Sequence, residues 1–195
     1  MANLFKNQTA PQISERARYE QRYRSARSSL LLAIVFTVIN MGLLITKKFT
    51  YFLFSAYVPY FLTDLGMMMS GQYPADFYTG EYADAAVFGK NFFYVMLAVS
   101  IVILMVYLIC WLFSKDMKVG WLIVALVFFC IDTVLMLFIA GINMEMIVDI
   151  LFHGWMIFDL VSAVIAVNKL KKLPAEEEVT EEAVEVAAEE TDINE

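Results

Sequence analysis

Glu145, Asp149 and His153 recur at intervals of four. On a helix such residues drift by only about 40° from one to the next, so they form a single polar stripe. His153 is the one histidine of the chain, and imidazole is the side chain whose charge changes near neutral pH. A stripe of this composition can pass protons or hold a cation. Asp132, Asp159, Asn40 and Ser100 are further polar residues set in apolar surroundings. A charge in the middle of an apolar helix costs about 2.5–3.5 kcal/mol on insertion scales, so each such residue needs a partner or a task.

Two chemistries fit Asn40, Ser100, Asp132, Asp149 and His153. They can form a binding site for an ion or small molecule. Alternatively, they fasten helices together through buried hydrogen bonds, at about 0.6–2 kcal/mol each. Glu145 also complements the dipole at a helix start, and Asp149 is close enough to that start to stay hydrated. Asp159 points about 120° away from His153 and is expected to pair elsewhere or stay hydrated.

Other chemistries are poorly supplied. One histidine and two separate thiols, Cys110 and Cys130, do not furnish the usual three-ligand zinc set. The cysteines read as small apolar residues. Ser100 and His153 are a nucleophile and a base with no spacing that brings them together. A glycine-rich phosphate loop is lacking. The expectation is therefore no enzyme, no metal and no cofactor.

The elements that must position these residues are four long apolar runs: 29–46, 92–113, 119–140 and 146–167. Each is about long enough to cross a hydrocarbon core of roughly 30 Å at 1.5 Å per residue. They are apolar all round, which in so short a chain means lipid as solvent. Apolar residues make up 61% of the 195 and charged residues 18%, with a mean hydropathy of +0.65. The expected fold is all-α, an integral membrane four-helix bundle. Rise per residue places Asn40 about 9 Å, Ser100 and Asp132 about 12 Å and His153 about 10 Å from one end of their runs. All four spans thus supply a polar group at one level.

Residues 49–70 are ambiguous. They are apolar but carry Pro59, Asp64 and six aromatic rings between Tyr51 and Phe61, and tyrosine favours the headgroup boundary. Charge placement arbitrates. With four crossings and a cytoplasmic N-terminus, eleven basic residues lie inside, and only Lys47, Lys48 and Lys90 lie outside. A fifth crossing makes the split seven to seven. The positive-inside bias favours four spans, both termini cytoplasmic, and a re-entrant or interfacial aromatic segment on the outer side. A break at Pro59 must then be shallow or covered by the bundle. Residues 71–90, with three glycine or proline punctuators and three acids before Phe88, suit an irregular outer loop. Gly141 and Asn143 read as a helix stop and a new N-cap.

The two arms carry opposite charge. Ten acids and no bases lie in 174–195, leaving fourteen bases against eleven acids elsewhere, a balance of +3. Ser14 is a candidate N-cap for a basic helix bearing Arg16, Arg18, Arg22, Arg24 and Arg27. These five arginines suit anionic inner-leaflet lipid, at about 1 kcal/mol per basic residue; nucleic acid is not expected. The acidic tail, 169–195, is expected to be disordered. No cleavable signal is expected, because the first apolar run follows a long polar segment.

The strings YFLFSAYVPYFL at Tyr51–Leu62 and VGWLIVAL at Val119–Leu126 make the chain resemble small multi-span bacterial membrane proteins without an assigned activity. The resemblance implies a bacterial inner membrane and carries over no catalytic residue. Two functions remain open. One is transport or ion or small-molecule binding, alone or as a subunit of a larger complex. The other is a non-transporting assembly or regulatory partner working through its charged arms, with a protein partner or a second copy.

Overall fold

The computed structural model describes residues 15–48, 51–52 and 54–173. The Ser14 cap, the acidic tail beyond Leu173 and the side chain of Glu145 lie outside the described residues. Five α-helices are present among the described residues: α1 (Glu15–Ile45), α2 (Tyr57–Met69), α3 (Asn91–Phe113), α4 (Val119–Ala140) and α5 (Ile147–Leu170). Among the described residues there is no strand. Four of these helices, α1, α3, α4 and α5, are long and apolar enough to cross a membrane. The thirteen residues of α2 reach only about 20 Å, too short to cross.

Each spanning helix buries one stripe at three- and four-residue spacing. On α4 the stripe is Leu122, Ala125, Phe129, Asp132 and Met136. On α1 it includes Leu30, Ala33, Thr37, Asn40 and Leu44; on α5, His153, Met156, Leu160, Ala163 and Val167. The alanines let backbones approach closely, which is how helices associate where the solvent is itself apolar. The polar residues occupy the same stripes, so they face the interior while Val134, Phe138 and Phe158 face outward. The spans form a ring in which α1 packs on α5, α5 on α4, α4 on α3 and α3 on α1, with α2 wedged between α3, α1 and α4.

Contacts at the ends show which helix termini lie together. At the end where α1 starts, the Tyr23 hydroxyl donates to the Ser114 carbonyl at 2.5 Å and Lys169 Nζ lies 5.7 Å from the Tyr19 ring centre. The start of α1, the α3–α4 turn and the close of α5 therefore share one end, here the terminal end. The opposite, loop end holds the close of α1, residues 70–90 and the α4–α5 turn. There Gly141 adopts φ +70° and Asn143 Oδ1 accepts from the Met146 N–H at 3.0 Å, the expected stop and cap. From Glu15 on, α1 runs unbroken into the first span.

The ambiguous segment is re-entrant. Residues 51–52 and 54–56 are non-helical, with Phe54 at φ +72°, and the chain then climbs back as α2 to Ser70. A left-handed phenylalanine is unusual; here its ring is set edge-on to Phe152 at 4.9 Å. On the climb α2 runs antiparallel to α3. A methyl group on Gly66 would come within 2.9 Å of Met96 Cβ, so glycine is what permits this approach. The expected wet loop is more ordered than its composition suggests. It contains two short 3₁₀ turns, Ala75–Phe77 and Gly80–Tyr82, with Phe77 stacked on Tyr73 at 4.5 Å and on Tyr82 at 5.0 Å.

Candidate functional site

The first helical turn of α2 lies inside the bundle, where its backbone amides have no water to bond. A helix leaves its first four N–H groups without intrahelical partners, and in an apolar setting each orphan costs free energy. For α2 these belong to Ala56, Tyr57, Val58 and Pro59. The Ala56 N–H donates to Thr37 Oγ1 at 2.8 Å. The Tyr57 N–H donates to Asp132 Oδ2 and the Val58 N–H to Asp132 Oδ1, both at 2.9 Å. Pro59 has no N–H to satisfy, which is why proline is tolerated in a first turn. The expected break at Pro59 is thus the beginning of a helix, capped from outside by α1 and α4.

Asn40 holds the non-helical stretch before α2 in the same way. Its Nδ2 donates to the Phe52 carbonyl at 2.7 Å and its Oδ1 accepts from the Phe52 N–H at 2.8 Å. The same Nδ2 lies 3.0 Å from Ser55 Oγ, which in turn meets the Tyr51 hydroxyl at 3.0 Å. On the other side, Thr63 Oγ1 of α2 sits 3.2 Å from Ser100 Oγ of α3. Asn40 thus bonds Phe52 and Ser55, Asp132 bonds Tyr57 and Val58, and Ser100 bonds Thr63 about 8 Å further along α2, so the three hold one segment at successive positions and not at one level.

His153 joins this seat through Asp132. Its Nε2 is 3.1 Å from Asp132 Oδ2 and its Nδ1 is 2.8 Å from the Asp149 carbonyl oxygen. A carbonyl only accepts, so Nδ1 carries a hydrogen. Nε2 facing a carboxylate oxygen then requires a second proton between the two groups. Both Asp132 oxygens already accept amide hydrogens, and the N-terminal dipole of α2 favours an anion there. The two groups share that contact while buried to 1% and 3% exposure. His153 also stacks on Phe129 at 5.0 Å, which excludes water from that face.

The remaining predicted residues fall in different places. Asp149 is buried rather than hydrated; its Oδ1 has no hydrogen-bond partner, and its carboxyl group faces the Tyr51 hydroxyl. Asp159 is paired elsewhere, accepting from Ser29 Oγ at 2.6 Å. Arg27 Nε donates to Ser114 Oγ at 2.9 Å and its Nη2 to the Trp111 carbonyl at 3.2 Å, so it ties α1 to the end of α3. Arg16 and Arg24 both flank Glu20, at 3.7 and 3.6 Å. Sequence reasoning missed Thr37, Ser55 and Thr63, and the position of Thr37 one turn before Asn40 on the same stripe was the signal available. No cluster of three or more metal-binding side chains occurs among the described residues.

Space around the seat is limited. Leu30, Ile34, Leu104, Tyr107 and Phe129 fill the bundle on the terminal side of Thr37 and leave no water-sized gap. A groove of about 140 Å³ touches Asp132 from the flank, but its walls are Val58, Ile103, Tyr107, Phe128, Ile131 and Leu135. Comparison with known protein families, with curated proteins and with solved structures finds no match for this chain.

Proposed function

We propose that this chain is a non-transporting membrane protein, an assembly or regulatory partner that presents its charged arms on one side. The observation that carries this reading is the use of Asn40, Ser100 and Asp132 to seat the chain's own re-entrant segment. A carrier needs polar groups left over for cargo, and these three have few to spare. The packed, dry interior on the terminal side argues the same way. In this reading the terminal end is cytoplasmic, in the inner or plasma membrane of a bacterium, because eleven of fourteen basic residues then lie inside. No catalytic role is assigned. Crosslinking in native membranes followed by affinity capture should recover a defined partner, lost when residues 174–195 are deleted. Recovery of the same proteins with and without that tail counts against the proposal. Tags at the two ends should report the same compartment.

One observation favours transport or ion binding instead: Asp149 keeps a buried carboxyl oxygen without a partner, one turn from His153. Proteoliposome flux of protons or monovalent cations decides between the two readings. Flux equal to that of empty liposomes, in wild type as in Asp132→Asn and His153→Ala, removes the transport reading.

A further inference from the structure

The terminal end carries a second polar feature, unconnected to the seat. Glu15, Arg18, Tyr19 and Arg22 of α1 and Lys169 of α5 surround an open cavity of about 120 Å³. Lys169 was not among the residues expected to meet lipid. It arrives there because α1 and α5 are antiparallel, with its ammonium held 5.7 Å from the Tyr19 ring centre. Three cations face one carboxylate. Among the described residues, none of the three lies in an ion pair, whereas Arg16 and Arg24 are engaged by Glu20. The cavity holds about four waters at 30 Å³ each, the room a tetrahedral oxyanion takes with its oxygens. Guanidinium groups offer forked donors matched to phosphate oxygens, and the ammonium adds a point charge. Arg22 lies five residues before Arg27, hence about 7 Å beyond the level of Trp111, where an aromatic belt meets headgroups.

We propose that Arg18, Arg22 and Lys169 form a binding site for a phosphate group, carried by an anionic lipid headgroup or free in solution. The proposal stands whether or not the chain transports. Its test uses the full-length protein in detergent, with thermal unfolding followed against short-chain phosphatidylglycerol, short-chain phosphatidylcholine, inorganic phosphate and glutarate. Arg22→Gln/Lys169→Gln is compared with Lys115→Gln/Lys118→Gln, which removes the same charge at the same end outside the cavity. At about five-fold per basic residue, the first pair should weaken phosphatidylglycerol binding roughly 25-fold, and the second by less than about three-fold. If the first pair proves too unstable to measure, Lys169→Gln alone should cost about five-fold and Lys169→Arg should retain binding. Pocket-dependent binding of phosphatidylglycerol without inorganic phosphate assigns the lipid as source, and equal binding of both assigns free phosphate. Equal weakening by both pairs overturns the site, as does no weakening by the first. Glutarate matching phosphate also overturns it and points to a carboxylate, such as those of residues 174–195.

Discussion

Removing the Asp132 carboxylate should release the re-entrant segment without dissolving the bundle. Asp132→Ala deletes three hydrogen bonds, from the Tyr57 and Val58 amides and from His153. At about 0.6–1.7 kcal/mol per buried bond in a membrane protein, the loss is roughly 2–5 kcal/mol. Asp132→Asn should be milder. Its carbonyl oxygen still serves Val58 and its amide can donate to a neutral His153, but the same amide then faces the Tyr57 N–H, donor against donor. One unsatisfied amide costs about 1–3 kcal/mol. Hydrogen–deuterium exchange of the full chain in nanodiscs reads these values at the affected residues. Exchange at Tyr57 and Val58 should accelerate by about 30-fold to a few thousand-fold in Asp132→Ala, and by about 5- to 150-fold in Asp132→Asn. The middle of α5 should change far less. Unchanged exchange at these two amides in a folded Asp132→Ala protein refutes the cap. So does a uniform increase through all helices, which would mean that Asp132 holds the bundle and not the segment.

Three further outcomes follow from the same seat. Thr37→Val keeps the shape but removes the acceptor for Ala56; exchange at Ala56 should rise roughly 5- to 150-fold, for about 1–3 kcal/mol, with Tyr57 and Val58 much less affected. Gly66→Ala forces a methyl against Met96 Cβ and should cost about 1–3 kcal/mol, lowering Tm by several degrees, whereas Gly154→Ala, with open space around it, should leave Tm unchanged or raised. Burial pushes the Asp64 carboxyl above its ordinary value, opposed by the hydrogen bond it accepts from the Tyr73 hydroxyl. A raised acid stabilises fully below the ordinary carboxylate range and loses that contribution as pH rises through the raised value. Protection of residues 70–82, corrected for intrinsic exchange, should therefore decline from mildly acidic to neutral pH in wild type and stay flat in Asp64→Asn.

The spans were legible because lipid imposes a rule on composition: every face of a crossing helix must be apolar, and four runs obeyed it. Rise per residue put the polar residues at one level; Asn40, Ser100 and Asp132 do meet one segment, but Ser100 bonds Thr63 about 8 Å along α2 from the amides that bond Asp132. What they bind was not legible. The partners of Asn40 and Asp132 include backbone groups of Phe52, Tyr57 and Val58, and a backbone amide looks the same at every residue. Thr37 was hidden for a related reason: a hydroxyl in an apolar run usually bonds its own helix, as Thr37 does at Ala33, and nothing in the residue type says that the same oxygen accepts from elsewhere.

The same bookkeeping explains why the segment re-enters at all. The thirteen residues of α2 are too apolar to lie in water and too short to span, and the non-helical residues 51–52 and 54–56 before it have backbone groups that lipid cannot satisfy. A polar side chain on a spanning helix costs free energy alone, and an unpaired amide in the bilayer costs free energy alone. Placed against each other, the two penalties largely cancel. Asp132 needs donors in an apolar interior; the first turn of α2 has two to give, and its dipole favours the anion. His153 then completes the hydrogen bonding of Asp132 from α5. The Asp149 oxygen is the one carboxylate position in the seat that this cancellation does not reach, which is why the flux comparison is best read beside the Asp132 and His153 variants.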